Sequence, residues 1–437
     1  MTSKFRDPRE RKASLADAFG SLRLQWAVAE ASRCLMCDDP PCRKGCLADV
    51  DIKKFIRALK SRNMRSALAA IRDANFLVAT CGRVCPQAEL CEGKCSSTDL
   101  ARPIAIGELQ RFVGETALAK GMKPSFPEVK SKGRVAVVGG GPAGLSAGFY
   151  LRNRGVQVDL YERRDFLGGV MMYGIPGYRL PKDLLNAEIA QVGDGASVIH
   201  QEVSDFADLT RRYEAIVLGC GLGAPRNLDI QGADLPGVWQ ADDLLLNVNV
   251  RGDRPDLSGT TVILGGGNTA MDAAGVSLRL GSERVIIAYR RTEPEMPSWL
   301  ADRQFVAQEG VELRFLLAPD ELMGASGRLD AIRFQKTELG EPDESGRRRP
   351  VPVAGAFEEI ACRQVILALG NRDNDCWKQL DLDEEGDRVK VDPETMETSK
   401  PGVYLAGDLL SGGGTVVQAV VDGRRAAHAI ASRVLAQ

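Results

Sequence analysis

Apolar residues recur in two different rhythms along this chain, and the change of rhythm divides it. Up to about residue 120, Ile52, Phe55, Ile56 and Leu59 fall three and four apart, as do Ala67, Leu68 and Ile71 and the apolar positions from Ile104 to Phe112. That spacing places them on one face of a helix and predicts a helical region. From Arg134 onward short continuous runs take over: Arg134 to Val138, Val156 to Tyr161, Ala215 to Gly219, Thr261 to Leu264, Val285 to Tyr289 and Val365 to Leu369. Such runs read as buried strands of parallel sheets, and all are far too short to span a membrane. Gly121 to Gly133, with Pro124, Pro127 and several lysines, reads as a linker. The predicted class is α/β.

Composition narrows the partners. Lys plus Arg number 57 and Asp plus Glu 59, a formal net charge of −2. There is no electrostatic case for nucleic acid or an anionic membrane. The first residues, Met1 to Gly20, are polar and charged with no apolar core of a signal peptide, so a soluble, cytoplasmic protein of two or three domains is expected. His200 and His428 are the only histidines. A histidine base or ligand set has little support, and both are expected to be surface or packing residues.

Two strands run into glycine loops. Arg134 to Val138 leads into Gly139-Gly140-Gly141-Pro142-Ala143-Gly144, a G-x-G-x-x-G followed by a helical pattern. Gly139 permits the tight turn, Gly141 lets a pyrophosphate approach the backbone, and Gly144 allows close helix–strand packing, with the helix N-terminus supplying amide donors. The second strand ends in Glu162, eighteen residues beyond Gly144, where a carboxylate binds ribose hydroxyls. Later, Thr261 to Leu264 leads into Gly265-Gly266-Gly267-Asn268-Thr269-Ala270, a G-x-G-x-x-A variant, and its next strand ends in Arg290 and Arg291. Arginine in place of the acid suits a 2′-phosphate, so this loop leans to NADPH over NADH. Two unlike dinucleotide loops imply one tightly held nucleotide and one that exchanges. Gly402 to Asp408, returning late in the chain, supports flavin at the first loop, with Asp408 placed for the ribityl chain. Thr415 and Val416 open a last helix whose amides could face the flavin ring.

Eight of the eleven cysteines lie ahead of these loops, as Cys34-x2-Cys37-x4-Cys42-x3-Cys46 and Cys81-x3-Cys85-x5-Cys91-x3-Cys95. Soft thiolates select iron–sulfur clusters, zinc or copper(I), and eight match two four-coordinate clusters. Disulfides suit small secreted domains and are not expected here. Structural zinc is the competing reading, and the redox motifs that follow favour iron–sulfur. Simple counting gives each run its own cluster. Cys220, Cys362 and Cys376 sit in apolar or loop contexts and are expected to be inert.

The motifs Cys34-Leu-Met-Cys37, Cys81-Gly-Arg-Val-Cys85-Pro86, Gly168-Gly169, Gly174-Ile-Pro176 through Arg179-Leu-Pro181, Gly265 to Asp272, Tyr289-Arg290-Arg291 and Ala406-Gly407-Asp408 resemble the glutamate synthase small subunit family. The N-terminal half of dihydropyrimidine dehydrogenase shows the same pattern. The resemblance covers the chain from about Ser32 and implies a helical N-terminal domain with two 4Fe–4S clusters (1–120), a linker (121–132), and two Rossmann-like domains. The NAD(P)H domain (246–365) is inserted between the two parts of the FAD domain (133–245 and 366–437). It further implies that Gly169, Arg179 and Gly370 join the cofactor sites.

The resemblance to dihydropyrimidine dehydrogenase also implies interleaved ligands. Cys34, Cys37, Cys42 and Cys95 hold one cluster, and Cys46, Cys85, Cys91 and Gln110 hold the other, leaving Cys81 spare. Glutamate synthase small subunits carry a glutamate at the place of Gln110. Thr337 to Asp343 with Gly346-Arg-Arg-Arg349 looks closer to those subunits, and Leu47 stands where the family usually has proline. The implied function is an NAD(P)H-linked FAD and iron–sulfur electron-transfer subunit serving a separate catalytic subunit, with pyrimidine reduction, glutamate synthesis and 2-oxoacid oxidation as candidate chemistries. Hydride transfer to flavin needs no side-chain acid or base, so no catalytic residue is assigned. A self-sufficient flavin reductase and a zinc-stabilised docking module on a degenerate flavoprotein are the alternatives.

Overall fold

The structure, a computed structural model, describes residues 5–131, 133–193, 196–324, 327–344, 346–386 and 388–436. The chain divides into two units: Ser21–Met172, Leu180–Gly223 and Asp373–Gln437 form one, and Met1–Gly20, Tyr173–Arg179 and Ala224–Arg372 form the other.

The first unit holds a five-stranded parallel sheet in the order Val403–Leu405, Ala215–Leu218, Arg134–Val138, Gln157–Glu162, Ser197–His200. Its central strand pairs Val135 with Val158 on one side and with Ala215 on the other. Val135 to Val138 are buried, as expected of a strand covered on both faces by crossover helices. The helix Pro142–Asn153 packs against the last helix, Val416–Val434, where Ser146 Oγ donates to Val420 O at 2.6 Å.

Three N-terminal helices lie where the apolar spacing predicts them, Ile52–Lys60, Met64–Arg72 and Ile106–Ala119, and Leu24–Ser32 and Val78–Val84 are helical as well. Asp51 and Asn63 start Ile52–Lys60 and Met64–Arg72 by accepting from Lys54 N at 2.9 Å and Ser66 N at 3.0 Å, which satisfies amides that a helix leaves orphaned. Ile52, Phe55, Ile56 and Leu59 are buried, the face that the sequence spacing predicts.

These helices are joined to the sheet's helices by polar contacts in the interior. Glu188, on the helix Lys182–Gly193 and 1% exposed, accepts from Ala79 N at 2.7 Å and Thr80 N at 2.8 Å at the start of Val78–Val84. Burial pushes its carboxyl up, and the bonds from Thr80 and Ala79 and the charge of Arg72 pull it back. Arg424 donates to Ala48 O at 3.0 Å and also to Ala74 O. Tyr150 Oη donates to Arg72 O at 2.9 Å, and Phe76 stacks on Phe149 with centroids 5.0 Å apart.

The second unit has its own five-stranded parallel sheet, in the order Val238–Gln240, Gln364–Leu367, Gly259–Leu264, Ser282–Tyr289, Glu312–Phe315. An antiparallel sheet of Leu317–Met323, Ala331–Pro342 and Arg348–Ala361 follows, which the search for apolar runs did not foresee. Ile332 and Phe334 point into its core while Arg333 and Gln335 stay partly exposed, the alternation of a sheet wet on one face. The segment before Gly20 also packs in this unit. Arg11 Nε donates to Glu309 at 2.7 Å with both side chains at most 2% exposed, Arg279 meets the same carboxylate at 2.8 Å, and Phe5 sets its edge against Phe305. Among the described residues, no helix is long and apolar enough to cross a membrane.

Candidate redox site: two glycine loops and two thiol groups

In the first unit the chain leaves the strand Arg134–Val138 through Gly139, whose φ is +107°. A Cβ there would stand 2.3 Å from Gly219 O, so only glycine fits. Gly141, two residues on, faces open space: its nearest neighbour would be Gly169 Cα at 3.9 Å. With Ala143 and Gly144 in the first helical turn, this leaves room for a pyrophosphate against orphaned amides. Glu162 closes the loop from the end of the next strand, accepting from Gly140 N at 2.8 Å and Arg164 N at 2.9 Å.

The late strand Val403–Leu405 delivers Asp408 at the start of a short helix, and Thr415 caps the helix Val416–Val434 by accepting from Gln418 N at 3.2 Å. Burial pushes the Asp408 carboxyl up, and the nearby Asp422 adds to that. Asp422 is itself held by Gly407 N at 3.2 Å and Gln418 Nε2 at 2.8 Å. Asp408 is therefore a half-buried acceptor poised for hydroxyl donors.

The second unit repeats the loop. Gly265 has φ +139°, and a Cβ there would stand 2.2 Å from Ala368 O. Gly267 faces open space and precedes the helix Asn268–Arg279, where Asn268 Oδ1 accepts from Trp299 N at 3.0 Å and Thr269 is exposed. Gly370, with φ +81°, also faces open space.

The thiols gather in two groups. Cys34, Cys37, Cys42 and Cys95 line one cavity with Pro40, Ser96 and Ile104. Burial pushes Cys42 up to about 11, and Cys95, Cys34 and Cys37 around it push in the same direction. Ile104 N points at Cys95 Sγ at 3.4 Å, and Cys37 Sγ lies 3.8 Å from Ser96 Oγ. Cys46, Cys81, Cys85 and Cys91 form the second group. The hydrogen bond that Cys85 donates to Cys81, then burial, then the proximity of Cys81, Cys91 and Cys46 raise the Cys85 thiol. Burial raises Cys91, helped by Glu92 and Cys46. Among the described residues, no three His, Cys, Asp or Glu groups converge on the position of a single metal ion. Four cysteines around a cavity suit a cubane, which carries its ligands on the outside of a larger body.

Residues 11–122 match the family described as dihydropyrimidine dehydrogenase domain II, 4Fe–4S cluster, and residues 133–423 match the pyridine nucleotide-disulphide oxidoreductase family. Over 96% of its length the chain is 32% identical to the glutamate synthase [NADPH] small chain of Escherichia coli (strain K12), and it covers 94% of that protein. It belongs to the glutamate synthase small-chain family. Other relatives have different names. The chain is 34% identical to the NAD-dependent dihydropyrimidine dehydrogenase subunit PreT of E. coli (strain K12), with 95% of each chain covered. It is 36% identical over 89% of its length to the NADP(+)-dependent formate dehydrogenase subunit beta of Moorella thermoacetica, and it spans 59% of that protein. FprA of Mycobacterium tuberculosis, solved in complex with NADPH, shares the fold with a TM-score of 0.57 at 20% identity, over 69% of this chain and 84% of FprA. The chain is thus an oxidoreductase with a 4Fe–4S cluster domain ahead of an FAD/NADP-binding fold, and these relatives are named as subunits of larger oxidoreductases.

Several residues named from the sequence have partners within the protein. Arg179 is committed to Asp272 at 2.6 Å and Asp302 at 2.9 Å. Arg291 is 4% exposed, paired with Asp343 and donating to Arg348 O at 2.7 Å, whereas Arg290 is exposed at the strand end. Gln110 Nε2 donates to Val78 O at 3.1 Å, on the helix that carries Cys81 and Cys85. Sequence reading missed Glu188. A buried acid on an amphipathic helix leaves no local signal.

Proposed function

We propose that the chain is an NADPH-linked electron-transfer subunit that holds FAD and two 4Fe–4S clusters and exchanges electrons with a separate catalytic subunit. The observation that carries this reading is the gathering of eight thiols into two groups in the same unit as the first glycine loop. When bound, FAD takes a hydride from the nicotinamide, and the clusters carry its electrons singly.

The residues have distinct tasks. Gly139, Gly141, Ala143, Gly144 and Gly169 shape the flavin's pyrophosphate cradle, and Glu162 fixes that cradle and its ribose. Asp408 accepts from the ribityl hydroxyls, while Thr415 and Val416 aim helix amides at the ring. Gly265, Gly267, Asn268 and Thr269 cradle NADPH, with Gly370 leaving space and Arg290 facing the 2′-phosphate. Arg179 and Arg291 position rather than bind. Cys34, Cys37, Cys42 and Cys95 ligate one cluster, and Cys46, Cys85 and Cys91 with Gln110 ligate the other. One observation favours a second reading of the last place: Cys81 hydrogen-bonds Cys85 and stands within that group.

Protein purified without oxygen is expected to carry one FAD and about eight iron and eight sulfide per chain. Stoichiometric zinc without labile sulfide would sink the cluster assignment in favour of a docking module. Cys85→Ala should halve the iron, keep NADPH-dependent dye reduction, and end turnover with the partner subunit. Retained partner turnover would make the assignment of Cys85 as a ligand wrong. For the last ligand, Gln110→Ala should shift the second cluster's potential and spin-resonance signal and Cys81→Ser should not. The reverse outcome assigns Cys81.

A further inference from the structure

Three cysteines lie outside the thiol groups, and the sequence gives no reason to distinguish them. Cys362 is 3% exposed under the second unit's sheet, where burial pushes its thiol up to about 12. Cys220 and Cys376 differ. Both are half-buried against the same apolar cluster, which contains Trp377, Leu380 and Leu405, and their side chains hydrogen-bond each other. Cys220 Sγ also reaches Val138 O at 3.7 Å.

Their meeting follows from the chain path. The first unit breaks off at Gly223 and resumes at Asp373, so the segment Ala224–Arg372 leaves and returns through two connections. These connections are paired to one another: Arg226 N donates to Gly370 O at 2.9 Å, Arg372 N donates to Ala224 O at 2.9 Å, and Pro225 bridges Asn371 in antiparallel sense. Five residues before Pro225 and five after Asn371 are Cys220 and Cys376, at equal distance along the chain from the bridge. We propose that Cys220 and Cys376 are a thiol–disulfide redox site that reacts with low-molecular-weight disulfides and, when oxidised, clasps the outgoing and returning connections of the inserted unit together.

The surroundings assign the roles. The hydrogen bond from Cys220 holds the Cys376 thiol below its ordinary value, helped by the backbone amides of Cys376 and Trp377. Donating that bond, and then burial, raise Cys220. Cys376 is the attacking thiolate and Cys220 the resolving thiol. With glutathione disulfide, Cys376 forms a bond to one glutathione sulfur as the S–S bond breaks and the other glutathione leaves as thiolate. Cys220 then loses its proton to solvent and attacks the Cys376 sulfur, expelling the second glutathione thiolate. Two protein thiols are oxidised by two electrons, and one glutathione disulfide is reduced to two glutathiones.

The test uses the full chain with its cofactors, prepared without oxygen, incubated with glutathione disulfide, alkylated and mapped by mass spectrometry, with iron and flavin content followed alongside. The expected result is one Cys220–Cys376 disulfide, reversed by dithiothreitol. After a proteolytic nick between residues 226 and 370, the two fragments should run together on denaturing gels until reduced. Cys220→Ser should stop at a stable glutathione adduct on Cys376, and Cys376→Ser should leave Cys220 unmodified. Wild-type protein whose two thiols remain free, or carry separate glutathione adducts, overturns the proposal, and this mapping decides even where a serine variant fails to fold. Modification of Cys220 in Cys376→Ser as fast as of Cys376 in Cys220→Ser overturns the assigned order.

Discussion

The loop at Gly139 and the loop at Gly265 are built to the same plan, each with a left-handed glycine pressed against a carbonyl of the neighbouring strand's exit and an open glycine two residues on, yet the strands beside them end in opposite charge. Glu162 turns inward and holds the first loop through Gly140 N. At the second loop the corresponding strand end is divided: Arg290 is exposed, and Arg291 is buried and spent on Asp343 and Arg348 O. The loop geometry recognises a pyrophosphate in general, and the strand end decides which nucleotide follows it. In the second unit only one of two adjacent arginines is free to do so by its exposure.

The sharpest way to break this comparison is to add one methyl group to each loop. Gly139→Ala places a Cβ against Gly219 O in a backbone conformation costing about 1–3 kcal/mol before the clash is counted, so flavin per chain, read by absorbance, should fall close to zero. Gly265→Ala should keep the flavin and abolish its reduction by NADPH in stopped flow. If both variants lose flavin equally, the loops do not serve separate nucleotides. A smaller effect is expected from Glu162→Ala, which leaves the Gly140 and Arg164 amides without their acceptor at a cost of about 1–3 kcal/mol. Flavin affinity should drop by roughly one to two orders of magnitude by that conversion.

Arg290→Ala should raise the Michaelis constant for NADPH roughly tenfold and leave that for NADH unchanged. An equal rise for both nucleotides would remove the 2′-phosphate from the argument. Arg291→Ala should alter nucleotide preference least of all. It should instead lower the melting temperature by a few degrees, on the order of 1–3 kcal/mol for a partly exposed ion pair with a buried hydrogen bond. A switched preference with unchanged melting would reverse the roles given to the two arginines.

The strands, both glycine loops and the N-terminal helices were legible in the sequence because their signals are local: a run of apolar residues, a glycine where φ must be positive, apolar positions three and four apart. The divided arginines were not, since Asp343 lies 52 residues from Arg291 on a polar hairpin. Arg179 looked like a cofactor contact for the same reason, its acidic partners lying 93 and 123 residues away. The packing of Arg11 against Glu309 joins positions 298 residues apart. Cys95 reached the Cys34, Cys37 and Cys42 group in the reading only through family resemblance, because counting along the chain assigns it to its own run. The antiparallel sheet escaped because its strands alternate instead of forming apolar runs.

Glu188 carries a consequence for anyone hoping to move parts of this protein into another. Its carboxylate stands in the interior of the first unit with the amides of Ala79 and Thr80 as its partners, so the thiol-bearing helices and the flavin-side helix share one desolvated joint. A truncation that starts at the linker, residue 121 or later, strips that carboxylate of both donors and uncovers the Phe149 face on which Phe76 stacks. The cluster-bearing region is therefore a poor cassette. Transplanting it intact requires the Lys182–Gly193 helix to travel with it.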